Sequence, residues 1–145
     1  MARTAHRRAL TMMTTRPQVP AGIVTRLRPL CLALPEVQEQ TAWVGLRWRI
    51  RDKTFAHVLM IATGWPPAYA KAAATDGPAC VLTFRSLLAD VDDTAFRTHP
   101  FFKPVWWPDI AGLVLGDETD WDEVTALVTS SYRLLAPHKL ATLLP

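Results

Sequence analysis

The sequence predicts an α+β domain, an antiparallel sheet with helices packed on one face, in the order α-β-β-β-α-β-α. Three observations lead there. Residues 45–51 alternate between apolar and basic side chains, and an apolar run follows at once after Asp52-Lys53, which is the pattern of a β-hairpin. Apolar stripes at helical spacing stand near both ends of the chain. Consecutive hairpin-like strands favour an antiparallel sheet with helices on one face. No internal repeat is present.

The first element is a helix over 24–34. Ile23, Leu27, Leu30, Cys31 and Leu34 make one stripe. Thr25 is the expected N-cap, which places Pro29 near the end of the first turn, and Pro35 stops the helix. The strand 45–51 follows, with Leu46, Trp48 and Ile50 alternating with Arg47, Arg49 and Arg51. With Asp52-Lys53 as a two-residue turn, the return strand 54–61 pairs Ile50 with Phe55, Trp48 with His57 and Leu46 with Leu59. These six define the core face in that register. The three arginines share the other face with Thr54, Ala56, Val58 and Met60.

Residues 62–79 contain Gly64, Pro66, Pro67, Gly77 and Pro78 and read as a long loop. A third strand is expected over 79–85. A short helix is expected over 86–96, with Ser86 as cap and Leu87 and Leu88 facing inward. Three prolines among aromatics make 99–108 irregular, and 110–115 is a buried strand. The final helix opens with the capping pair Asp120 and Glu123. Trp121, Val124, Leu127, Val128 and Leu135 form its inner face, and Pro137 ends it.

The 145 residues fit one domain, and with half of them hydrophobic the chain can bury a substantial core. The net charge of +3 is unevenly placed. Residues 1–28 carry six arginines and no acid, whereas the remainder has 10 basic and 13 acidic residues. Residues 1–20 are accordingly read as a basic, disordered extension or as sequence ahead of a start at Met12 or Met13, in preference to a targeting segment. Residues 21–145 are read as the domain. No apolar run is long enough to span a membrane. The two cysteines, Cys31 and Cys80, lie in apolar runs and suit buried, reduced thiols, so a cytoplasmic protein is expected. A monomer is expected separately.

Several stretches together resemble the MmcQ/YjbR family. They are Leu30-Cys31-Leu32-Ala33-Leu34-Pro35-Glu36-Val37-Gln38-Glu39, Trp48-Arg49-Ile50-Arg51-Asp52-Lys53-Thr54-Phe55-Ala56, and Asp120-Trp121-Asp122-Glu123-Val124. Ser130-Ser131-Tyr132-Arg133-Leu134-Leu135-Ala136-Pro137 and Lys139-Leu140 complete the set, which spans about residues 24–141 in the family's order. The resemblance implies a CyaY-like (frataxin-like) fold. It also implies DNA as a partner, since members are described as DNA-binding, mostly on fold grounds. It transfers no catalytic residue. The chain departs from the family in having Asp52 where a glycine usually precedes the lysine, in the long segment 62–79, and in the aromatic segment 101–107.

The residues offer two candidate surfaces. Arg47, Arg49 and Arg51 would project from one sheet face ~7 Å apart, as phosphate contacts with Arg26 and Arg28 nearby. The plainer reading is a solvated face that keeps the sheet soluble. Phe101, Phe102, Trp106 and Trp107, with Trp65, would serve a protein- or small-ligand-binding adaptor, or would simply plug the end of the sheet. His57 is expected on the inner face beside Trp48. His99 and His138 lack partners at metal spacing, and Asp90, Asp92 and Asp93 lack the glycine and glutamate of a calcium loop. An acidic ridge of the frataxin kind is reduced to Glu36 and Glu39. Ser130-Ser131-Tyr132 has no adjacent base, and no phosphate-binding glycine loop occurs. The expectation is a non-enzymatic domain with no cofactor and no metal.

Overall fold

The computed structural model describes residues 18–87 and 94–145. The elements are α1 (Ala21–Leu32), β1 (Gln38–Thr41), β2 (Leu46–Ile50), β3 (Lys53–Ile61), α2 (Pro67–Ala73) and β4 (Ala79–Arg85). A 3-10 turn (Thr94–Arg97), β5 (Phe101–Phe102), β6 (Ile110–Leu115), α3 (Trp121–Leu135) and α4 (His138–Ala141) complete the order. The strands form one antiparallel sheet in the order β1-β2-β3-β4-β6-β5. The α+β class and the antiparallel sheet therefore stand as read from the sequence. The long helices α1 and α3 cover one face. The short α2 packs on the other.

The two faces are written by alternation. Trp48, Ile50, Val58, Leu82, Phe84, Ala111 and Leu113 point at the helices and join Leu27, Cys31, Val124, Val128 and Tyr132 in the main core. Val44, Leu59, Ile61, Ala70, Val81 and Phe102 form a smaller core under α2.

A bulge in β3 decides which residue goes where. The turn is Arg51-Asp52, one residue earlier than expected, because Ile50 pairs with Lys53 and Arg49 with Thr54. The register then shifts, so that Trp48 pairs with Ala56, Arg47 with His57 and Leu46 with Val58. Phe55 is the extra residue. Moving the turn alone preserves the faces, since it displaces the pairing by two. The single inserted residue inverts them from Ala56 onward. Phe55 thus keeps its expected place in the main core, but His57 and Leu59 go to the opposite face and Ala56, Val58 and Met60 take their place.

The helix α3 holds this bulge in position. Asp120 Oδ1 accepts from the amides of Asp122 and Glu123, at 3.0 and 3.2 Å, and starts the helix as expected. The fully buried Ser131 hydroxyl donates to the Phe55 carbonyl at 2.6 Å and accepts from the Arg85 amide at 2.8 Å. The Phe55 ring lies edge-on to Tyr132, 5.5 Å between centroids, and the Tyr132 hydroxyl donates to the Pro35 carbonyl at 2.7 Å. The Ser131-Tyr132 pair is a brace between helix and sheet.

Other expectations are corrected. α1 begins at Ala21 with Pro20 as its cap, so Thr25 lies inside it and its hydroxyl donates to the Ala21 carbonyl at 2.9 Å. Pro29 is consequently an interior proline, which forgoes one helical hydrogen bond. Val19, assigned to the extension, packs against the main core. The expected loop 62–79 contains α2, whose first residue, Pro67, is preset for a helical first turn. The polar strand β1 was not expected. The irregular 99–108 contains β5. Leu87 is exposed where it was expected to face inward, and Leu88 and the cluster Asp90, Asp92 and Asp93 fall outside the described residues, as do residues 1–17.

Candidate functional site: the open sheet face

The face opposite α1 and α3 is only partly covered, by α2 and by the segment 103–108. Strand register lays out what it presents. One row across the sheet runs Gln40, Arg47, His57, Thr83, Gly112 and Phe102. The next row carries Gln38, Arg49 and Thr54, and on the far side of the bulge Arg85 and Ile110.

Arg47 and Arg49 are held by neutral acceptors. Arg47 donates to the Gln40 side-chain oxygen through Nε at 3.2 Å and Nη2 at 3.0 Å. Arg49 donates to the same oxygen at 3.4 Å and to the Asp52 carbonyl, and its Nε is buried without a hydrogen-bond partner among the described residues. No carboxylate lies within ion-pair distance of either guanidinium among the described residues. Arg85 differs, since it grips both oxygens of Asp109 at 2.9 Å.

His57 sits between these cations and a set of rings. Its Nε2 is 2.6 Å from the Val44 carbonyl, so that nitrogen carries the proton. Burial, and to a lesser extent the Arg47 charge, hold its pKa below the ordinary histidine value, against the opposing pull of the Val44 carbonyl. The neutral ring keeps Nδ1 as an acceptor. Edge-to-face contacts run from His57 to Tyr69 (6.1 Å), Tyr69 to Trp106 (5.6 Å) and Trp106 to Trp107 (5.6 Å). Lys103 closes the loop beneath them by donating to the Pro104 and Trp107 carbonyls.

On the other side Trp43 leans on Trp65 at 5.3 Å. Gly45, two residues on, lets the chain pass close to β3: it has φ +75°, and a Cβ there would run into the Val58 carbonyl oxygen. Trp43 is 65% exposed and Trp107 46%. Both line a cleft of about 350 Å³, together with Arg47, His57, Tyr69, Thr83 and Arg85.

The expected site residues are thus divided. Arg47 and Arg49 stand together on the open face. Arg51 lies in the turn and pairs with Glu36 at 3.0 Å. Arg28 belongs to the helix layer, where it pairs with Glu39 at 2.9 Å. Arg26 lies over the Trp121 ring at 5.5 Å. Those three take no part in an Arg47–Arg49 patch. Of the aromatic set, Phe101 packs against the main core and Phe102 in the smaller one, where its ring fills the space above Gly112. Trp65 is half-buried behind Trp43, and Trp106 behind Trp107. Only the last of the expected rings is strongly exposed.

Sequence reasoning missed Trp43, Tyr69, Thr83, Arg85 and Asp109, and placed His57 on the wrong face. Gly45 was the one available signal for Trp43, since a glycine just before a strand permits a tight return.

Among the described residues no group of three histidine, cysteine or acidic side chains is placed to hold a metal. No described helix is long and apolar enough to cross a membrane. Both cysteines are free and buried, and burial pushes the Cys80 thiol up to about 12. A search of curated proteins returns no match. The YjbR family model matches residues 32–134, a span that holds all six strands and all but the last residue of α3. The chain belongs to the YjbR family.

Proposed function

We propose that this domain binds nucleic acid, DNA in the first instance, as a single strand laid across the open sheet face. Arg47 and Arg49 contact phosphates, and Trp43 and Trp107 stack on bases. The observation that carries the reading is the presence of two guanidiniums, without a carboxylate partner among the described residues, and two exposed indoles on one partly open face. Arginines two apart on a strand stand ~7 Å from one another. Exposed rings beside a cationic track are the usual means of holding single strands without sequence preference.

The net-negative body argues against a broad electrostatic footprint and for a local one. The role is binding, not catalysis. Asp109, which lies beside the cleft, is committed to Arg85, and the Nε2 of His57 to a backbone carbonyl. The buried thiols suit a reducing, cytoplasmic setting.

The test is a salt titration of oligonucleotide affinity. Two phosphate contacts on a single strand give a log–log slope of about −1.4 from this face. The double substitution Arg47→Glu/Arg49→Glu removes that contribution, and Arg51→Glu leaves it. An adaptor that binds protein through Trp43, Trp107 and the 90%-exposed Val105 is the second reading. It calls for partner binding that is indifferent to salt and lost in Trp107→Ala.

A further inference from the structure

We infer that the cleft lined by Trp43 and Trp107 is a pocket for a single nucleotide unit, one planar base with its phosphate, taken either from a strand or as a free nucleoside monophosphate. The inference deepens the reading above and rests on it for the role of Arg47 as a phosphate contact.

Three features select this ligand. The first is size. At about 350 Å³ the cleft lies at the lower end of small-ligand sites. It is too large for a bare anion and too small for a folded peptide segment.

The second is the wall. Trp43, Tyr69 and Trp107 all line the cleft, so a flat ring has aromatic side chains to stack on. An inorganic anion makes no use of them.

The third is the polarity of the floor. Neutral His57 offers an acceptor at Nδ1 and Thr83 a hydroxyl, both lining the cleft, so the edge of a base finds hydrogen-bonding groups where a purely apolar ligand would leave them unpaired. Arg47 lines the same cleft and brings the charge for one phosphate, while Arg85 is already neutralised by Asp109. Only one guanidinium without a carboxylate partner lines the cleft among the described residues, and no glycine-rich loop is present in the sequence. That favours a monophosphate over a di- or triphosphate.

The arrangement separates two functions on one face. Arg49 is absent from the cleft lining and serves the strand beyond the pocket. Arg47 serves both.

The experiment is a titration of the full-length protein with uridine and adenosine 5′-monophosphates, ribose 5-phosphate and inorganic phosphate. It is read by tryptophan fluorescence and by amide chemical shifts at 57, 69 and 83, with a short single-stranded oligonucleotide run in parallel. The expected result is saturable binding of at least one monophosphate that neither ribose 5-phosphate nor phosphate reproduces. Trp107→Ala and Thr83→Val each weaken it by about five-fold or more, and Arg51→Glu, in the turn away from this face, leaves it within about two-fold.

An oligonucleotide that binds when no monophosphate does better than phosphate overturns the pocket and leaves the face. Absence of binding by both overturns the face as well. Monophosphate binding without oligonucleotide binding supports the pocket as a free-nucleotide site and overturns the strand reading. Monophosphate binding untouched by Trp107→Ala and Thr83→Val overturns the assignment of the cleft.

Discussion

The two faces of this sheet are built from the same strands and behave as different materials. Towards α1 and α3, Trp48, Ile50, Phe55, Val58 and Leu82 are fully buried. On the opposite side, one residue along each strand, Arg47, His57 and Thr83 form a polar row. A period-two strand cannot make one face without specifying the other. The difference teaches where sequence change is tolerated. The covered face is constrained by volume, and the open face by charge and by what it meets. The bulge at Phe55 is the joint between the two regimes, because it alone sends His57 to the open side.

The largest expected effect is on the covered face. Trp48→Ala should cost about 3–5 kcal/mol in urea unfolding, since it empties a fully buried indole site and removes the bond from its Nε1 to Glu39 at 3.0 Å. Next is the joint. Ser131→Ala strips partners from the Phe55 carbonyl and the Arg85 amide and should cost about 1–3 kcal/mol. Its chemical shift changes should concentrate at the bulge and at Arg85. Changes confined to α3 would show that the serine does not brace the two faces.

Acid should act on the two faces in separate windows. The folded-state pKa of His57 is depressed by burial, so the unfolded chain binds the extra proton first. Stability is therefore full above the ordinary histidine value of 6.5 and falls as pH drops below it. Glu39 is held below the usual carboxylate value by its bond to Arg28, against the opposing effect of burial, with Trp48 helping. Its contribution is present above 4.5 and is lost as pH falls through the lowered folded value. His57→Gln should remove the first window and spare the second in melting-temperature curves. The smallest effect on stability is expected at Arg47→Ala and Arg49→Ala, within about 0.5 kcal/mol of wild type, although both should weaken nucleic acid binding.

Much of the covered face was legible. Leu46, Trp48 and Ile50 announce a strand by strict alternation, and Asp120 announces α3 by its capping geometry. The open face was legible only in part, for definite reasons. Residues 54–61 are largely apolar on both sides of the strand, so alternation could not reveal which side Phe55 and His57 each take, and a bulge leaves no compositional trace. β1 reads Gln-Glu-Gln-Thr and carries no apolar signal at all, as suits a polar sheet edge. Arg85 and Asp109 are 24 positions apart and meet only through the β4–β6 pairing. Arg47 and Arg49 were legible as a pair, but their separation from Arg51 depended on the turn, where Arg51 adopts φ 58° and leaves the strand.

The most direct test compares three full-length proteins, wild type, Arg47→Glu/Arg49→Glu and Arg51→Glu, for affinity to one labelled single-stranded oligonucleotide across a salt series. The basic N-terminal segment is common to all three, so its contribution cancels in the comparison. The account predicts that Arg51→Glu follows wild type, and that the double variant binds more weakly with a log–log slope shallower by about 1.4. Equal slopes and equal affinities for wild type and the double variant would contradict it.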